Sequence, residues 1–386
     1  MLEKPKDTRF GSGPSKKHPQ WALPNLDTCT VGRSHRGPAG LKRIQEVIAL
    51  TRSILQIPRT HHIALVNGGG TGAFEFLLWN LLESRPIDIF SAGFFGNLWS
   101  HDIVNELKIA GARVFTAAPG ENPDFNQYDR SHDCVFVLSE TTTGSNVSDV
   151  RWLEHREGLS ICDVTSAVFC TNIQWALLDA VAFPFQKGVG GEAGIGAVVM
   201  NERCLARVRH PATSHPLPRL LRLPRKAEDG TVDMDFFNGY TPNTVSLLGI
   251  EDILSALTWS EKIGGREQLI KRTRANYEIV ARWVARTESV RFLVQDESIR
   301  SKNVACLQVL TRNGAWDNRE DLADWAKLQN IADFLRENTV AEDILNHKKS
   351  VPALRIWLGP TIEPDDIQKL LPWIERGIEL FCPVSQ

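Results

Sequence analysis

From about Pro38 to the region of Gly249 the sequence alternates between helical and strand-like hydrophobic periods, and this alternation is what most limits the fold. Gly40–Leu55 repeats its apolar residues at helical spacing, IALVNGGG is a strand running into a glycine turn, and Thr71–Leu82 is helical again. IDIFSAG, ARVFTAA and CVFVLSE read as further strands. The pattern predicts an α/β layer architecture, in which each element buries its apolar face against the next layer. Helical spacing then dominates from Ser246 to Thr287, with Gly264-Gly265 a natural place for one domain to give way to another. Strands near Val304–Leu310 and Ala353–Leu358 and helices near Leu322–Glu337 and Pro364–Phe381 make the remainder a smaller α/β domain. A chain of 386 residues is long enough for both. The Pro-rich, basic passage His210–Lys226 reads as a long surface or interface connection.

The segment Leu159–Phe169, LSICDVTSAVF, is apolar and β-branched yet carries one acid, Asp163. A carboxylate on such a strand is costly to bury unless something cationic meets it. Shortly after it, AFPFQKGVGGEAGIG at Ala182–Gly196 places a lysine, Lys187, between an apolar run and a cluster of small residues, and no other lysine lies between Lys108 and Lys226. Taken singly, Asp163 reads as a turn cap and Lys187 as a solvated lysine. Taken together they point to pyridoxal phosphate, whose aldehyde forms a Schiff base with a lysine and whose protonated ring nitrogen pairs with an aspartate.

The glycine cluster Asn67–Gly72, NGGGTG, has two readings. A strand, a glycine turn and a helix N-terminus form a phosphate site; glycines alone form a tight turn. GxGxxG in its dinucleotide register is not matched, which leaves a dinucleotide-binding protein as a remote alternative. A formal charge of −2 offers no general attraction to nucleic acid or anionic membrane. Seven cysteines without CxxC or Cys/His spacing predict reduced thiols and no metal site. The start, MLEKPKDTRFG, lacks an apolar signal core, no run is long enough for a membrane span, and a cytoplasmic protein is expected.

Six stretches, FGSGPSKKHP, GRSHR at Gly32–Arg36, ICDVTSAVF, FQKGVGGE, the Asn243-Thr244 pair in TPNTVSLLGIED and ALRIWLG at Ala353–Gly359, stand in an order and spacing that resemble the phosphoserine aminotransferases. The likeness runs nearly end to end and is nearest to the branch whose lysine motif reads WQKVLGGE. It implies a fold type I pyridoxal-phosphate transferase: a large domain over 16–262 with a mostly parallel sheet flanked by helices, and a small C-terminal α/β domain over 263–386 that takes in residues 1–15. It also implies a homodimer with shared active sites.

By the same resemblance, Lys187 carries the cofactor and Asp163 meets its ring nitrogen. Gly70, Thr71 and Gly72 anchor its phosphate with Gln186, Trp99 stacks on the ring, and Thr141 bonds the ring hydroxyl. Asn243 and Thr244 come from the second subunit. Arg355 matches the arginine for the α-carboxylate, His35 and Arg36 match a phosphate-binding pair, and His347 with Lys348 stands at a second basic pair. A guanidinium for each anionic end of the substrate fixes both its charge and its orientation. The chain departs from the family pattern with Lys348 in place of arginine, an added Lys349, Thr71 where some relatives carry arginine, and Phe185 in place of tryptophan. The implied reaction passes an amino group between O-phosphoserine or glutamate and 3-phosphooxypyruvate or 2-oxoglutarate. The alternative is a same-fold enzyme acting on another small acidic or phosphonate amino acid.

Overall fold

The computed structural model describes residues 2–208, 216–311, 323–347 and 349–383. Its strands are β1 (His61–Asn67), β2 (Ile87–Ser91), β3 (Ala112–Thr116), β4 (Asp133–Val137), β5 (Ser139–Glu140), β6 (Ser145–Asn146), β7 (Ser160–Asp163), β8 (Ala180–Pro184), β9 (Ile195–Asn201), β10 (Val290–Phe292), β11 (Val304–Val309) and β12 (Leu354–Trp357). The helices are α1 (Pro38–Leu55), α2 (Gly69–Leu81), α3 (Phe94–His101), α4 (Glu202–Val208), α5 (Leu247–Lys262), α6 (Gly265–Val284), α7 (Trp325–Glu337) and α8 (Pro364–Phe381).

Seven strands form one sheet in the order β1-β9-β8-β7-β4-β2-β3, in which every pairing from β8 to β3 is parallel and β9 alone runs against its neighbours. Every residue of β4, β7 and β8 is buried, which is why these strands read as apolar runs instead of alternating: helices cover both faces. Successive residues still part company. Phe136 joins a core with Ile44 and Val47 of α1 and Ile250 and Ile253 of α5, whereas Val135 and Val137 join Phe74 and Leu78 of α2 on the opposite face.

The local signals explain the helix ends. Pro38 occupies the first turn of α1, and Arg52 in its last turn donates to the carbonyls of Pro58 and His61, both at 2.7 Å. The Ser246 hydroxyl caps α5 by accepting from the Gly249 N–H at 3.1 Å. Gly264 and Gly265, with φ of 113° and 64°, separate α5 from α6 within the stretch of helical spacing. Several boundaries shift by a few residues, two of them beside the later site. The second helix begins at Gly69, two residues before the predicted Thr71, because the glycine turn itself supplies the first helical residues. The predicted strand over Leu159–Phe169 stops at Asp163, where the carboxylate accepts from the Thr165 N–H and turns the chain.

The C-terminal third forms an antiparallel sheet β10-β11-β12 packed against α6, α7 and α8 in a core of its own, which Phe10 also enters. The first residues are tied there: the Trp357 N–H donates to the Phe10 carbonyl at 2.9 Å and the Glu342 N–H to that of Thr8 at 2.6 Å. Of the passage 210–226, residues 210–215 lie outside the described residues, and 216–226 form no helix or extended strand. Among the described residues no helix is long and apolar enough to cross a membrane.

Asp179, fully buried immediately before β8, is a hub of this scaffold. Burial would raise its carboxyl, but bidentate bonds from Arg156 at 2.8 Å and a bond from Arg203 at 3.0 Å hold it below the usual carboxylate range. Asp179→Asn leaves the nearly buried Arg156 guanidinium without its counter-charge and is expected to cost about 3–5 kcal/mol. Urea unfolding of the variant measures this, and an unchanged midpoint would refute the assignment.

Candidate active site

A cavity of about 410 Å³ opens at the C-terminal ends of β1, β2, β4, β7 and β8. Gly68–Thr71 follow β1, Phe95 and Trp99 stand on the helix after β2, Ser139 follows β4, Asp163 ends β7, and Gln186 and Lys187 follow β8. Parallel sheets gather binding residues at this edge because every strand there hands over to a loop or a helix N-terminus. Gly13 of the N-terminal segment and His347 of the C-terminal third complete the lining.

Lys187 is 5% exposed. Its Nζ donates to the Ser12 carbonyl at 2.7 Å and to the Thr141 hydroxyl at 3.3 Å, and stands 5.8 Å from the centre of the Trp357 ring. Burial lowers its pKa to about 8, against the opposing pull of Glu140 and Asp163. The amine therefore gives up its proton more than two pH units below the ordinary lysine value and has a sizeable neutral, nucleophilic fraction from about pH 8 upward. It is not a solvated surface lysine.

Asp163 is 3% exposed and, among the described residues, makes no ion pair at salt-bridge distance. Its Oδ1 accepts from the Thr165 N–H at 2.8 Å and its Oδ2 from the Trp99 indole N–H at 3.1 Å. Burial raises its pKa in spite of these two donors and the nearby Lys187 charge. A cationic partner in the cavity reverses that penalty. Trp99 also lines the cavity, turns the N–H edge of its indole to this carboxylate, is 2% exposed and packs on Phe74 at 4.8 Å between centroids. Phe95, one turn earlier on α3, lines the cavity and is only half-buried.

Glu140 is a second buried carboxylate that the sequence reading passed over. It is 1% exposed and accepts from the N–H groups of Phe95 (3.1 Å), Gly96 (3.3 Å) and Thr142 (3.1 Å) and from the Thr142 hydroxyl (2.7 Å). It thus caps the N-terminus of α3. Burial raises its pKa and the Thr142 and Gly96 donors lower it. The signal was available, since Glu140 closes an apolar strand in CVFVLSE as Asp163 does in its own.

At the glycine turn, Gly68 caps α2 and the N–H groups of Gly68 and Gly69 are spent on the Gly194 carbonyl at 3.0 and 3.2 Å. Those of Gly70 and Thr71, the next two in the first helical turn, have no acceptor among the described residues. A Cβ at Gly72 would stand 2.4 Å from the Asn67 carbonyl oxygen, so only glycine brings strand and helix this close. The Gln186 side-chain oxygen is buried beside this turn without a partner, leaving its amide free to rotate its N–H groups towards the cavity.

The expected substrate residues divide. His347, with φ of 64°, faces the cavity beside Phe95, 5.9 Å between ring centres, and burial with the nearby Lys187 and Arg355 charges lowers its pKa to about 4. Arg355 on β12 is fully buried behind the lining; its guanidinium donates to the carbonyls of Thr142, Asn346, Ala353 and Val351 at 2.9–3.1 Å and, among the described residues, has no carboxylate partner. Lys348 lies outside the described residues. His35, Arg36, Asn243 and Thr244 do not reach the cavity of their own chain. His35 is buried with an unpaired Nε2, Arg36 and Thr244 are exposed, and the Thr244 carbonyl accepts from Asn67 at 3.0 Å.

These groups fit pyridoxal phosphate. A buried amine of lowered pKa, a buried carboxylate with lone pairs to spare and two unpaired N–H groups at a helix start are the three features that the aldehyde, ring nitrogen and phosphate require.

No family model matches the chain. It is 37% identical over 377 residues to a phosphoserine aminotransferase of Methanosarcina mazei, covering 97% of this chain and 98% of the relative. In structure it is similar to the pyridoxal-phosphate-bound phosphoserine aminotransferase of Trichomonas vaginalis, with a TM-score of 0.75 at 16% identity over 96% of this chain and 100% of that one. It is also similar to a pyridoxamine-pyruvate aminotransferase of Mesorhizobium loti, with a TM-score of 0.80 at 14% identity over 98% and 93% of the two chains. With the fold type I architecture in place and the sequence likeness extending along almost the whole of both chains, the protein belongs to the phosphoserine aminotransferase family of pyridoxal-phosphate enzymes.

Proposed function

We propose that this enzyme transfers the amino group of O-phosphoserine to 2-oxoglutarate, giving 3-phosphooxypyruvate and glutamate, and runs the reverse reaction at the same site. The observation that carries this reading is the pair Asp163 and Lys187, buried on one cavity beside two unpaired backbone N–H groups. Bound there, pyridoxal phosphate supplies an electron sink for the charge left on the donor's Cα. Lys187 would hold it covalently, Asp163 its ring nitrogen, Thr141 its ring hydroxyl, and Gly70, Thr71 and Gln186 its phosphate. With a pKa near 8, the Lys187 amine can take the proton from the donor's Cα and return it elsewhere. Water is kept out by Phe95, Trp99 and the N-terminal segment, whose Gly13 approaches the lysine so closely that a Cβ there would stand 2.9 Å from Lys187 Cε.

The substrate assignment follows the family. Arg355 serves the α-carboxylate: its guanidinium has no carboxylate partner among the described residues, and to meet the substrate it has to exchange carbonyls that now accept four of its N–H groups for the anion. His35, Arg36, His347 and Lys348 serve the distal phosphate. The first two cannot do so from their own chain, and Asn243 and Thr244 likewise stand outside its cavity, which supports a homodimer with shared sites. Exposed apolar residues flank these positions in sequence, Val31 at 41%, Tyr240 at 42% and Leu248 at 44%. The large domain over 16–262, the small domain over 263–386 with residues 1–15, and a cytoplasmic location belong to the same proposal. The separate core of the C-terminal third and the seating of Phe10 within it support the division. A dinucleotide-binding role finds no support among the relatives.

Lys187→Ala is expected to abolish the visible absorption of the bound cofactor and lower turnover by roughly 10⁴-fold or more. In the cofactor-free wild type, reaction of this amine with an aldehyde should rise with pH around a midpoint near 8, because burial disfavours its charged form. A midpoint near the ordinary lysine value would contradict the buried-amine reading.

Mixing inactive Lys187→Ala with an inactive Asn243→Ala/Thr244→Ala variant should restore activity through hybrid dimers. A fully active monomer in sedimentation would rule out shared sites.

Arg36→Ala should raise KM for phosphoserine about tenfold or more and leave uncharged donors little affected, whereas Arg355→Ala should impair every amino acid. Faster turnover of aspartate, alanine or a phosphonate by the wild type would retain the transaminase and discard phosphoserine.

A further inference from the structure

We propose that Trp99 is a positioning residue for Asp163, its indole N–H fixing the carboxylate that faces the cavity. Two donors grip Asp163 on different oxygens: the Thr165 N–H on Oδ1 at 2.8 Å and the Trp99 Nε1–H on Oδ2 at 3.1 Å. Holding both oxygens stops the carboxyl group from rotating, yet each oxygen keeps a lone pair for a further donor. A hydrogen bond to an ionised group is stronger than one between neutral groups, and a buried carboxylate has no water to replace a missing donor.

The donor is itself held from elsewhere. The Glu140 carboxylate binds the N–H groups of Phe95 and Gly96, and the Thr142 hydroxyl accepts from the Phe94 N–H at 3.2 Å, so the first turn of α3 is fixed to the loop that also carries Thr141. One turn on, the Trp99 ring is 2% exposed and wedged against Phe74. The helix therefore acts as a spacer between two buried carboxylates, with Glu140 at one end and Asp163 at the other. A phenylalanine would fill most of the Trp99 volume but could not donate.

The pair exists in the protein without a cofactor; only its kinetic consequence rests on the aminotransferase reading. The first measurement is therefore made on cofactor-free protein labelled with ¹⁵N at the indole nitrogens, the Trp99 resonance being identified by its loss in Trp99→Phe. Its N–H proton should lie downfield, exchange slowly with solvent and move upfield in Asp163→Asn. No response to Asp163→Asn overturns the pair, whatever the enzyme's activity. In the loaded enzyme, Trp99→Phe should lower kcat and weaken cofactor retention by roughly ten- to hundred-fold, with KM for the amino donor changed by no more than about twofold. A Trp99→Phe enzyme with wild-type kcat and retention refutes the positioning role. If Trp99→Phe does not fold, the response of the wild-type indole resonances to Asp163→Asn still decides. If the wild type binds no pyridoxal phosphate, the functional reading falls while the resonance measurement stands.

Discussion

Lys187 shares a nearly dry site with two carboxylates, Asp163 and Glu140, and the electrostatics among these three groups govern much of what surrounds them. Burial pushes the amine down to about 8 against the pull of both carboxylates, and pushes both carboxyls up, Asp163 against the pull of Lys187 and Glu140 with the Asp163 charge adding to the rise. Among the described residues none of the three is satisfied by a direct ion pair. They are held by neutral donors and acceptors instead: the Ser12 carbonyl and Thr141 for the amine, Thr165 and Trp99 for one acid, and the start of α3 for the other. Such a set is poorly compensated alone and well compensated by a ligand with a cationic ring nitrogen and a carbonyl carbon, which is the physical sense in which the site is made for its cofactor.

This arrangement also explains the course of the N-terminal segment. Residues 6–10 are tied to the C-terminal third through Asp366, Glu342 and Trp357. A few residues later Ser12 accepts from Lys187 and the Ser15 N–H donates to the Gln186 carbonyl at 2.9 Å. One short stretch of chain therefore joins the packing of β12 and α8 to the buried Lys187 amine. The ties run through the backbone on both sides, so any shift of the C-terminal third against the large sheet bears on the lysine directly. Cross-connections on the opposite side act alike: the Ser301 N–H donates to the Gly144 carbonyl at 2.8 Å, and Arg355 donates to that of Thr142 at 3.0 Å.

Much of this was legible in the residues. The α/β alternation, the break at Gly264-Gly265, the strand-turn-helix at NGGGTG and the joint significance of Asp163 and Lys187 all rest on local chemistry, where period, glycine conformations and the cost of a lone acid on an apolar strand speak for themselves. Glu140 shows where such reading thins out. Its strand position carries the same warning as that of Asp163, but only the Thr142 donors to it are local; the others come from α3, some 45 residues away in sequence, and nothing near Glu140 names them.

The sequence by itself determined the class of fold and marked Lys187, Asp163 and the glycine turn at Asn67–Gly72 as candidates, because each of these signals depends on neighbours within a few residues or on a periodicity that survives without tertiary context. Tertiary structure alone decided how those parts meet. It set the Trp99 edge, not its face, against Asp163, buried Arg355 among carbonyls, and left His35, Arg36, Asn243 and Thr244 outside the cavity of their own chain. The physical reason is that direction and desolvation are properties of packing. A residue's type says what it can bond, while which way it points, and whether water can take the partner's place, is fixed only when distant elements close around it.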